Sequence, residues 1–186
     1  MKEAVGLFER TLADRERLLG ADHPDTLASR GSLAQAYLSA GRVTEAIGLF
    51  ERTVADCERE RLLGADHPGM VLPRNGLARA YRLVGRLEEA IGLHERTVAD
   101  CERVLGADHP HTLTSRNDLA LAYRSAGRLE EAIPLFERAL ADRERILAID
   151  HPDTLTSRHD LASAYQSARR LDEAIPLLER ARGHQL

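Results

Sequence analysis

The chain has 186 residues, 43% hydrophobic, 30% charged and only 4% aromatic with no Trp, which gives enough apolar material for a continuous core and enough charge to keep its outside in water. Ala and Leu fill the apolar positions, a choice that suits close-packed helices better than sheets. The net charge is −4 and Glu alternates with Arg (Glu9-Arg10, Glu58-Arg59, Glu137-Arg138), so no basic block exists for a nucleic-acid backbone, and no apolar run nears the roughly 18 residues of a membrane span.

In chain order, Met1-Lys2-Glu3 leads straight into an amphipathic helix over 2–19 rather than a signal peptide. Asp22-His23-Pro24 then begins a block that returns at Asp66, Asp108 and Asp150, at intervals of 44, 42 and 42 residues. A fixed period of about 20 to 50 residues means stacked supersecondary units that cannot bury their apolar faces alone. The third copy shows the unit. Pro110 suits a first helical position, and Leu113, Leu119, Ala120 and Tyr123 recur at helical spacing, which predicts a helix A over 111–125. Gly127 ends it through the left-handed conformation. Leu129-Glu130-Glu131 opens a helix B whose stripe of Leu135, Phe136, Ala139, Leu140 and Ile146 carries it to 147. Gly20, Gly64 and Gly106 follow the earlier B helices. The expected architecture is all-α, a right-handed α-solenoid of antiparallel helix pairs with about nine helices in one domain. It comprises a half repeat at 1–20 and repeats at about 21–64, 65–106, 107–148 and 149–186.

Leu119-Ala120, Tyr123, Gly127, Ala132 and Phe136 match the signature spacing of the tetratricopeptide repeat (TPR). The match recurs at Leu33-Ala34, Tyr37, Gly41, Ala46 and Phe50, at Leu77-Ala78, Tyr81, Gly85 and Ala90 with His94 in the aromatic place, and at Leu161-Ala162, Tyr165, Ala174 and Leu178. The family period is about 34. The longer period here, with Asp-His-Pro between repeats, resembles the kinesin light chain subgroup and is similar to the arrays of actinobacterial signalling proteins. The resemblance implies a platform for partner proteins. It leaves the partner open, because fold does not dictate function.

Several departures carry information. The family's Trp position early in helix A is Arg in every copy (Arg30, Arg74, Arg116, Arg158), read as an Arg stem packed on a neighbouring helix with its head at a carboxylate or solvent, against a ligand-contacting ladder. The interval of 44 marks a two-residue insertion near Glu58-Arg59-Glu60-Arg61, and Pro73 falls within the next helix A, where it removes a donor at about 3 kcal/mol. A distorted junction is expected at 58–74, as tolerated drift or as a hinge. Cys57 and Cys101 stand where other copies have Arg15 and Arg143, which places them near the surface as two thiols too far apart for a disulfide. Arg169 replaces the turn Gly. Neither end carries an evident capping helix, so the chain reads as a segment of a longer array or as one whose ends associate.

No chemistry of catalysis emerges. Four of the eight histidines belong to Asp-His-Pro, one per repeat and too far apart to share an ion, and order the turn before helix A; the others lack ligand spacing. No phosphate loop, nucleophile elbow or Cys-His pairing is present, so no metal, cofactor or enzymatic activity is expected. The resemblance implies a ligand-facing surface lined by helix A, here Gly31, Gln35 and Leu38; Asn75, Arg79 and Arg82; Asn117, Leu121 and Arg124; His159, Ser163 and Gln166. Spacings of four and three put each trio on one helical face. Asn can hold a peptide backbone and Arg a carboxylate, so Asn75, Arg79, Arg82, Asn117, Arg124 and His159 are candidate contacts to an acidic peptide or partner protein. The alternative is a structural segment that self-associates through its uncapped ends. One Lys against 25 Arg points to a GC-rich bacterial genome, and the expected compartment is the cytoplasm.

Overall fold

A computed structural model describes residues 2–60 and 71–182. Among these residues there are nine helices: α1 (Lys2–Leu19), α2 (Pro24–Ser39), α3 (Val43–Glu60), α4 (Val71–Leu83), α5 (Leu87–Val104), α6 (Pro110–Ser125), α7 (Leu129–Leu147), α8 (Pro152–Ser167) and α9 (Leu171–Arg182). The even-numbered helices are the A helices and the odd-numbered ones the B helices, within a residue or two of the sequence expectation. Two compact units divide within α5, Met1–Leu93 and His94–Leu186. In the first, α1 packs on α2, α2 on α3 and α3 on α4, and α2 also touches α4. In the second, α6, α7, α8 and α9 pack in the same sequential way and α6 touches α8. The fold is all-α, antiparallel helix pairs of the TPR type.

Small side chains set how closely the helices approach. Ala34, Ala78, Ala120 and Ala162 of the A helices and Ala46, Ala90 and Ala132 of the B helices have no exposed surface, and bulkier neighbours (Leu33, Leu77, Phe50, Phe136) fill the space between. At Gly76 even a Cβ would overlap the Phe50 ring, so that aromatic lies directly on the backbone of α4. Helices α2, α6 and α8 begin with Pro at the first turn behind a His N-cap. The A-to-B turns use a left-handed residue, Gly41, Gly85 or Gly127, and Arg169 adopts it in the fourth copy with φ 59°.

Pro73 is within α4, the third of its described residues, as expected; residues 61–70, before Val71, lie outside the described residues. One expectation is corrected. Cys57 and Cys101 are 5% and 1% exposed, not near the surface. Exchange with Arg misleads because Arg143 is itself buried. Its stem packs inward while its guanidinium donates to the Asp153 carbonyl at 3.1 Å and to the Ser157 hydroxyl. Cys101 Sγ takes the same niche, 3.9 Å from Ser115 Oγ, and burial pushes the Cys57 thiol up. The insertion and most of the junction at 58–74 lie outside the described residues. At its edges Arg74 reaches Glu58, at 3.3 Å over 16 residues where other copies span 14.

Candidate functional site

The four arginines in the Trp position are interior groups. Arg30, Arg116 and Arg158 are at most 1% exposed and Arg74 7%. Arg30 joins Glu16 of the preceding helix B at 3.2 Å and Asp56 of its own helix B at 2.5 Å. Arg116 does the same with Glu102 at 2.6 Å and Asp142 at 2.7 Å, and Arg158 reaches Glu144 at 2.8 Å. A buried charge must be paired, and these pairs tie each helix A to the helices around it. The arginines are structural, as the packed-stem reading holds, and offer no ladder to a ligand.

A second repeated set lies at the other end of each helix A. The hydroxyls of Tyr37, Tyr81, Tyr123 and Tyr165 donate to Glu9, Glu51, Glu95 and Glu137 at 2.5–2.8 Å. Arg42, Arg86, Arg128 and Arg170 cover the four rings at 3.8–4.6 Å. Desolvation, helped by the Glu acceptor, pushes Tyr81, Tyr123 and Tyr165 up to about 12. These groups too are spent on packing.

What remains is the open face of the A helices. In the first unit Gln35 is exposed and Gly31 half-buried, whereas Leu38 is buried in the core and drops out of the lining. On α4, Asn75 and Arg82 are half-buried and Arg79 is exposed. Arg79 and Arg82 make no ion pair among the described residues. In the second unit the expected contacts divide. Asn117 is 6% exposed; its Nδ2 donates to Asp160 Oδ2 at 3.1 Å and its Oδ1 accepts from Ser157 Oγ at 3.4 Å. Its amide thus joins α6 to α8 rather than facing outward. Arg124 donates to the Asp160 main-chain oxygen at 3.4 Å with its guanidinium 5.8 Å from the Phe136 ring. His159, next to Asp160 in sequence, is exposed. Asp160 is the residue that sequence reasoning missed. The available signal was that Asp118 and Asp160 recur at one repeat position, next to the candidate residues 117 and 159.

A cleft elsewhere in the second unit, about 570 Å³, is bordered by Ile133, Pro134, Glu137 and Arg170, of which Glu137 and Arg170 engage Tyr165. Among the described residues no three His, Cys, Asp or Glu side chains gather to hold a metal ion, and no helix is long and apolar enough to cross a membrane.

A family model for the tetratricopeptide repeat matches residues 1–59, 70–145 and 122–184. Among solved structures, the nearly identical TPR-like repeats of a kinesin light chain-type protein from Podospora anserina align at 39% identity. That alignment covers 99% of this chain and 86% of the other, with a TM-score of 0.86. BtubC from P. vanneervenii aligns at 22% identity over 97% of this chain and 71% of its own, TM-score 0.84. A Rap protein complexed with competence and sporulation factor aligns at 14% over 96% and 47%, TM-score 0.79. The last two show likeness of fold. No curated protein matches by sequence.

Proposed function

The chain belongs to the tetratricopeptide repeat family, and we propose that it is a protein-interaction scaffold or sensor whose open A-helix faces take a carboxylate-bearing peptide or partner protein. The observation that carries this reading is on α4. Arg30, Arg74, Arg116 and Arg158 are bound to acids inside the fold, but Arg79 and Arg82 project from the same kind of helix without an ion pair among the described residues. An Arg fork matches a carboxylate in two parallel bonds. Asn75 lies one turn before Arg79 and is suited to a peptide's backbone. In the second unit Arg124 and His159 are the contacts proposed, with Asn117 holding Asp160 behind them. The Rap neighbour bears on the reading as a fold of this kind in complex with a factor.

The test is an array of acidic and neutral peptides probed with the wild type and with Arg79→Ala/Arg82→Ala. Acidic peptides should bind preferentially, and the double variant should lose at least tenfold. Equal binding by both proteins would overturn the assignment.

One observation favours a second reading, self-association through the ends. Ile175 is 50% exposed on α9, whereas its counterpart Ile133 on α7 is 5%, and Leu171 is 56% exposed. Light scattering that stays monomeric at high concentration would exclude it. The proposal places the protein in a reducing bacterial cytoplasm, on its buried cysteine thiols and Arg-rich composition.

A further inference from the structure

Helices α2, α6 and α8 begin in the same way. His23, His109 and His151 hold the N-cap position with extended backbone at φ −64°, −69° and −65°. The Nδ1 atom of each accepts a backbone N–H two residues on, from Asp25, His111 and Asp153, all at 3.2 Å. Such an acceptor satisfies one of the orphan donors of a helix's first turn and is ordinarily a Ser, Thr, Asp or Asn oxygen. A histidine in that place differs in being basic. The bond exists only with a neutral ring whose proton is on Nε2. Protonation sets an N–H against an N–H and adds positive charge at the positive end of the helix dipole.

We infer that His23, His109 and His151 are acid-released clasps, which cap α2, α6 and α8 while neutral and free the first turn of each when protonated. The inference stands apart from the peptide-binding reading. Its sign follows from the bond. Only the neutral ring makes it, so its contribution is present while the ring is neutral and is lost as falling pH protonates the ring.

Charged groups stand around each ring. His23 has Asp22 and Asp25 in its own turn, with Arg15 of α1 bound to the Asp25 carbonyl at 3.0 Å; nearby, Arg30 of α2 joins the Ala21 carbonyl and Glu16 of α1. His151 has Asp150 and, at 3.9 Å, Asp153 Oδ2, with Arg143 of α7 bound to the Asp153 carbonyl and Glu144 of α7 on Arg158. In both, an acid and an arginine stand at the turn. In the third copy both are gone. His111 stands in place of the acid and Cys101 in place of the arginine, and Asp108 is bound to Arg145 of α7. The His111 ring lies 5.3 Å from that of His109, so protonation of both would set like charges side by side at the first turn of α6.

Amide exchange at residues 25, 111 and 153, divided by the intrinsic rate at each pH, reads the clasp directly. From pH 7.5 to 5.5 the opening of the residue 111 amide should rise roughly tenfold in the wild type, the order of one capping bond. It should stay within twofold in His109→Asn, whose Oδ1 caps without titrating. His109→Ala should be open already at pH 7.5 and flat below it. A flat wild type, or an equal rise in His109→Asn, overturns the inference.

Discussion

Tyr81, Tyr123 and Tyr165 show how a repeated residue can be functional-looking and yet structural. Each keeps its ring in the core, covers it with an Arg from the following turn and gives its hydroxyl proton to a Glu of the preceding helix B. Loss of that proton would put two anions together in a desolvated place, which is why the three phenols are pushed up to about 12. The native state therefore holds these protons more tightly than the unfolded chain, whose phenols titrate near 10. The stability involved is intact below about pH 10 and is lost as pH rises from there toward 12. Absorbance at 295 nm should show tyrosinate appearing near pH 12 in the folded protein and near 10 in urea. A single native transition near 10 would mean that the Tyr–Glu bonds are not formed in solution.

At the level of the element, the turns after the B helices are the place to probe backbone strain. Gly20 and Gly106 take φ 91° and 89° there, and in the last such turn Ala148 has φ 83° and ψ 161°, a region that only Gly enters without strain. The carbonyl of Ala148 accepts the Thr154 hydroxyl at 2.8 Å, as that of Gly106 accepts Thr112, so the fold imposes the conformation on whichever residue stands there. Ala148→Gly should stabilise the chain by about 1 kcal/mol, the residual strain less the entropy Gly adds to the unfolded state. A fall in urea midpoint would show that the turn relaxes elsewhere. Helices and turns of this kind were legible in the sequence because each depends on residues within its own repeat: Pro110, Gly127 and the Leu and Ala stripe announce where a helix starts, stops and faces. What could not be read depends on the next repeat. Asn117 looked like a groove residue until Asp160 and Ser157 of the following helix A claimed its amide. Leu38 shares its helical face with Gln35 but is taken into the core. Cys101 and Arg143 differ in every property that a sequence displays and share one buried niche, because an Arg stem is as apolar as a thiol's surroundings require.

Across the molecule the buried arginines obey one rule of spacing. Each draws on a Glu from the helix B before it and, in complete copies, on an Asp 26 residues later in its own helix B, as Arg30 does with Asp56 and Arg116 with Asp142. For Arg158 the same step falls on position 184, outside the described residues, where the sequence has His after Gly183 instead of Asp after Ala141. Among the described residues its Nε and Nη1 atoms are buried without an acceptor, and a buried unsatisfied charged donor is expensive. Gly183→Ala with His184→Asp restores both the helix propensity and the carboxylate of the complete copies. It should raise stability by about 1 kcal/mol, or roughly 2–4 °C in Tm for a chain of this size. Gly183→Ala with His184→Asn separates the two contributions, since it removes the same Gly but supplies no anion. If the Asn variant matched the Asp variant, the gain would belong to helix propensity, and the Glu–Arg–Asp spacing would be a by-product of repetition rather than what holds each helix A between its neighbours.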